Sequence, residues 1–133
     1  MTDDDILARV ALGYSAFIDR TRSVTATRLT VFALRSDVVL DAAQLLNAVA
    51  AVWPAEGPRV SLNITSETLL RDLLRATPSQ NLMVEVPAFM AVDPANSDAI
   101  IALHARGNTL LDPTLWLLSL IAAGVLWYRR ARR

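Results

Sequence analysis

The chain of 133 residues contains no cysteine, which excludes disulfides, thiolate nucleophiles and cysteine-based zinc sites and suits a reducing, cytoplasmic setting. Lysine is missing as well. All 13 cationic side chains are arginine, so Schiff-base chemistry and a phosphate-loop lysine are excluded. Charge of either sign is not in excess: 13 arginines balance 13 acidic residues, leaving no basic field to hold a nucleic-acid backbone. There is one histidine, His104. It falls near a predicted helix end just before "ARG", which reads as a solvent-facing place, and no Ser-His-Asp set is built from it. The N-terminal "MTDDDILARV" is acidic where a secretory signal is basic.

What is abundant is apolar residues, at 53% of the chain. The longest such run opens at Leu115 and closes at Tyr128, followed by basic "RRARR", the layout of a tail anchor with its positive flank inside. It is shorter than the roughly 20 residues a spanning helix needs. Gly124 divides it into a Leu- and Ala-rich part and a strand-like "VLWY". The expectation is a soluble helix followed by a strand beside residues 109–112, with a solvated basic tail. A membrane anchor through Leu115 to Tyr128 stays open as the alternative.

Ahead of that run, strand and helix patterns alternate. Residues 10–18 and 24–34 are strand-like and joined by "DRTR", a predicted hairpin. Asp37 is the expected cap of a helix running to about Val52, with Val39, Ala43, Leu46, Ala50 and Trp53 on its buried face. "PAEGP" breaks it. A strand over 60–64 follows, and Ser66 then caps a helix with Leu69, Leu70, Leu73 and Leu74 as its apolar stripe. The next predicted strand is 82–86. Asp93 and Pro94 open another helix, buried through Ala99, Ile100 and Leu103 and ended by a left-handed Gly107. A strand over 109–112 stops at Pro113.

Such alternation predicts a parallel sheet and an α/β fold. Within it, Asn63, Glu85 and Asp112 each sit late in a strand, 22 and then 27 residues apart. That is close to one strand-helix unit of an eightfold barrel of about 250 residues. Side-chain alternation puts Leu62, Ile64, Val84, Val86 and Leu111 under helices and the three polar residues on the other face. The carboxyl ends of such strands are where α/β barrels build their sites.

The three segments carry a family resemblance. "VSLNIT" resembles the asparagine strand of EAL domains, the cyclic di-GMP phosphodiesterases, "LMVEVP" their glutamate strand and "GNTLLDP" their aspartate strand. The opening "AFIDRTRSVTATRLTVFALR" resembles the hairpin of EAL domains that are joined to HDOD domains. The likeness covers roughly residues 10–130. It implies an incomplete, TIM-barrel-like (β/α) barrel with an N-terminal hairpin and about five strand-helix units, forming one degenerate domain over 1–133, the N-terminal part of such a protein. In active members Asn63, Glu85 and Asp112 correspond to metal ligands.

The departures from that pattern concern the same chemistry. Arg28 stands where the resemblance implies the first glutamate of the signature, Pro113 replaces a second aspartate, and Gly124, Trp127 and Arg129 occupy the place of a lysine strand between aspartates. Two-metal hydrolysis needs clustered oxygen ligands to hold magnesium or manganese and to activate water. With so few of them, Asn63, Glu85 and Asp112 are expected to be vestigial, no metal or other cofactor is expected, and Arg28, expected on a neighbouring strand, is an available partner for Glu85. The function implied is non-catalytic and regulatory, in bacterial cyclic di-GMP signalling, through a protein partner or self-association. Trp116, Trp127 and Tyr128 are the candidate interface residues. A weak metal-dependent phosphodiesterase is the third reading.

Overall fold

The computed structural model describes residues 6–111. The expectations on Leu115 to Tyr128, and with them Asp112, Pro113, Trp116, Gly124, Trp127, Tyr128 and Arg129, lie outside the described residues, as does the side chain of Leu111. The rest is a mixed α/β fold. Strands β1 (Val10–Ile18), β2 (Val24–Ala33), β3 (Arg59–Ile64), β4 (Leu82–Val86) and β5 (Thr109–Leu111) form one sheet in that order. β1 runs antiparallel to β2, and every later pair is parallel. The helices between them are α1 (Ala42–Val52), α2 (Glu67–Leu74), the short α3 (Ala88–Ala91) and α4 (Ser97–Ala105), with a 3-10 turn at Pro94–Asn96.

Sequential parallel strands joined by right-handed crossovers carry all their helices on one side, and α1 packs on α2 and α2 on α4 accordingly. Strand alternation then decides the core. Leu29, Val31, Val60, Leu62, Ile64, Leu82, Val84 and Val86 point under the helices and are buried, joined there by Leu45, Leu69, Leu73 and Leu103. Their neighbours Arg28, Thr30, Ser61, Asn63, Met83 and Glu85 take the opposite face, as period-2 geometry requires.

The predicted hairpin is present. Asp19 holds its turn, accepting from the Thr21 amide at 2.8 Å, the Ser23 amide at 2.9 Å and the Thr21 hydroxyl at 2.7 Å, while Arg22 adopts a positive φ of 65°. These bonds stabilise the ionised carboxylate, so the Asp19 pKa lies below its ordinary value, the Thr21 hydroxyl being the largest cause. Ser66 caps α2 as expected, receiving the Leu69 amide at 3.4 Å, and Leu69, Leu70, Leu73 and Leu74 are buried. Gly107 is left-handed at φ 77°. Asp93 caps the 3-10 turn, whose Asn96 leads into α4, and Ala99 and Ile100 pack on the core beside fully buried Leu103.

The first helix departs from expectation. Its cap is Asp41, which accepts from the Gln44 amide at 2.8 Å, whereas Asp37 pairs with Arg35 on the surface. That bond holds the Asp37 carboxyl below its ordinary value. Starting four residues later rotates the buried face onto Ala42, Leu45, Leu46, Ala48 and Val49. Val39 is 84% exposed, Ala43 and Ala50 are exposed too, and only Leu46 of the expected face proper is buried, with Trp53 half-buried. In "AAQLLNAVAAV" nearly every position is apolar, so local periodicity leaves the phase undetermined.

Candidate functional site at the carboxyl ends of the strands

The parallel strands β3 and β4 end at Ile64 and Val86, and a cleft of about 180 Å³ opens there. Arg28, Asn63, Thr65, Glu67, Glu85 and Phe89 line it, over a floor of Ile64, Leu70 and Pro87. The crossovers create it: each chain leaves its strand at this end, so β3 and β4 diverge into the segments that start α2 and α3. Asn63 and Glu85 therefore do converge on one pocket. Asp112, the third member of the expected set, lies outside the described residues.

Glu85 is the chemical centre of the cleft. It is buried, and its Oε1 accepts from Arg28 Nε at 2.8 Å and from Ser61 Oγ at 2.8 Å, while Oε2 accepts from Arg28 Nη2. The fork is bidentate, the geometry in which guanidinium and carboxylate bind most strongly. Arg28 is not on the adjacent strand. In the sheet β3 lies between β2 and β4, Arg28 is level with Ser61, and Ser61 with Met83, so the guanidinium reaches over fully buried Ser61 to Glu85, two residues further along β4 than Met83. Thr30 is the β2 residue level with Asn63, and the Asn63 amide donates to its hydroxyl at 3.4 Å.

The second carboxylate of the cleft is also matched by arginine. Glu67 Oε1 accepts from Arg71 at 2.7 and 3.2 Å, one helical turn apart on α2. Arg71 also donates to Asn96 Oδ1 at 3.2 Å and lies 3.5 Å from Asp93, tying α2 to the segment before α4. Its guanidinium is held above its ordinary pKa, first by the hydrogen bond that it donates to Glu67 and then by the charges of Glu67 and Asp93. Among the described residues there is no group of three or more His, Cys, Asp or Glu side chains that could hold a metal ion.

His104 is exposed, as expected, and its Nδ1 shares a 3.0 Å hydrogen bond with the Thr109 hydroxyl. Sequence reading missed Ser61, whose partner is set by cross-strand neighbours, and Phe89, which follows β4 and stands 59% exposed over the cleft. It also missed the asparagines that hold the opposite ends of the strands. Buried Asn108 donates to the Ser79 and Leu82 carbonyls at 2.8 and 2.7 Å, and buried Asn81 donates to the Pro54 carbonyl at 2.8 Å. Among the described residues, no helix is long and apolar enough to cross a membrane.

No family model, no curated protein and no solved structure matches this chain.

Proposed function

We propose that the chain is a degenerate EAL-like regulatory domain, an incomplete (β/α) barrel in the N-terminal part of an EAL/HDOD-type signalling protein. On this reading it acts in the bacterial cytoplasm through protein association rather than hydrolysis of cyclic di-GMP. The observation that carries it is the engagement of Glu85. A carboxylate serving two-metal hydrolysis must offer its lone pairs to the metals, and here they meet Arg28 and Ser61. A divalent cation entering the cleft would have to displace a guanidinium and then share the space with its charge. Glu67 is likewise engaged by Arg71.

The sheet supports the architectural half of the reading. Parallel strands in sequential order with helices on one side are the arrangement of a barrel wall, and the cleft at their carboxyl ends is the place that such a wall reserves for a site. The polar face of Arg28, Thr30, Ser61, Asn63 and Glu85 would be the lumen side.

The test pairs light scattering over micromolar protein with a manganese-dependent assay on cyclic di-GMP. An inactive protein that self-associates or captures a protein partner is the expected result, and Arg28→Glu stays inactive. A stable monomer that turns over cyclic di-GMP with manganese overturns the proposal.

A further inference from the structure

Two strands bound the described sheet, and they differ in reach: β5 has three residues and β1 has nine. The Arg9 carbonyl accepts from the Leu34 amide at 3.0 Å. By the alternation of an antiparallel ladder, odd-numbered residues of β1 therefore turn their backbone groups to β2, and Val10, Leu12, Tyr14 and Ala16 turn theirs outward. Natural sheets guard such edges with charges, prolines or bulges. From Val10 to Ile18 there is neither charge nor proline. The register irregularity near Phe17 and Ile18 places its extra residue, Thr25, on β2, so the outer side of β1 stays regular.

Opposite charges flank the strand symmetrically. Arg9 lies five residues before Tyr14 and Asp19 five residues after it. We propose that β1 pairs antiparallel with β1 of a second copy about a two-fold axis at Tyr14. In that register Arg9 faces Asp19 of the other copy at both ends, Leu12 faces Ala16, Ala11 faces Phe17 and Gly13 faces Ser15. A larger side chain thus meets a smaller one in each of those pairs. Tyr14, 70% exposed, faces its own equivalent as a hydrogen-bonded pair, and Ile18, 62% exposed, meets Val10. Moving the axis to Gly13 or Ser15 sets Arg9 against Phe17 or Thr21 and forfeits the charge match. Asp19 is fixed at its end of the strand by Thr21 and Ser23, which keeps its charge where the pairing needs it.

This inference rests on the association reading and specifies its edge and partner. The chain has no cysteine, so Tyr14→Cys in the full chain introduces a single thiol at the axis. Mild oxidation is expected to convert the dimer to a disulfide-linked band, whereas Val39→Cys, on an exposed residue outside the sheet, stays unlinked. Tyr14→Lys sets two like charges opposite each other and is expected to weaken dimerisation roughly tenfold, with partial recovery in high salt. A dimer that Tyr14→Cys does not link and Tyr14→Lys does not weaken overturns the β1 pairing and leaves the association reading standing. A wild-type chain that stays monomeric overturns the pairing too, and a protein partner captured by that monomer would preserve the wider reading. If the monomer also captures no partner, both fall.

Discussion

The two faces of one sheet obey different rules. On the helix side, Leu62, Val84 and Val86 are fully buried among other hydrocarbon side chains, and each contributes through the area removed from water and the density of its packing. On the other side, Ser61 and Glu85 are buried too, yet polar, and they persist because Arg28 completes a hydrogen-bonded set across three strands. The apolar face is additive and tolerant of swaps that conserve volume. The polar face works as a unit in which every member depends on the others.

The sharpest way to break this contrast is truncation on each side, read as unfolding free energy in urea. Leu62→Ala is expected to cost about 3–4 kcal/mol through a cavity under α1 and α2. Arg28→Ala should cost less, about 2 kcal/mol, because it leaves Glu85 buried without its cation while Arg28 itself is 37% exposed and partly screened. Replacing the whole set at once, Arg28→Met with Glu85→Leu and Ser61→Ala, should recover most of that loss, because no buried polar group is then left without its partner. If the triple variant is as unstable as Arg28→Ala, the polar face is not a coupled unit.

Caps give a smaller comparison, between a bond that a helix uses and one that it does not. Ser66→Ala removes the oxygen that receives the Leu69 amide and should cost about 1 kcal/mol, and Asp41→Ala the same for α1. Asp37→Ala removes only an exposed, solvent-screened ion pair and should leave the stability essentially unchanged. Equal losses for Asp37 and Asp41 would restore the longer helix that local pattern suggests.

The smallest effect concerns pH. Asp19 titrates below its ordinary value of 3.8 in the folded chain, so its stabilisation of the hairpin turn is present above that value and fades as pH falls through the lower folded one. Acid titration should therefore loosen the β1–β2 turn first at Thr21 and Ser23, seen as faster amide exchange there, and Asp19→Asn should flatten the response.

How much of this could be read without coordinates depended on the range of each interaction. The hairpin, the Ser66 cap, the stripe from Leu69 to Leu74, the strand at Leu82–Val86 and the left-handed Gly107 follow from neighbours within a few residues, where turn chemistry and side-chain period act. So does the division of Leu62 and Val84 from Asn63 and Glu85, since successive strand residues must point to opposite sides. The phase of α1 did not follow, because an almost uniformly apolar helix has no polar side to orient it until the sheet chooses which face to bury. Nor did the reach of Arg28 across β3, or the place of Ser61 beneath it. Those depend on strand order and register, which are set by how the helices pack on the far side of the sheet, and a chain read one residue after another carries no direct record of them.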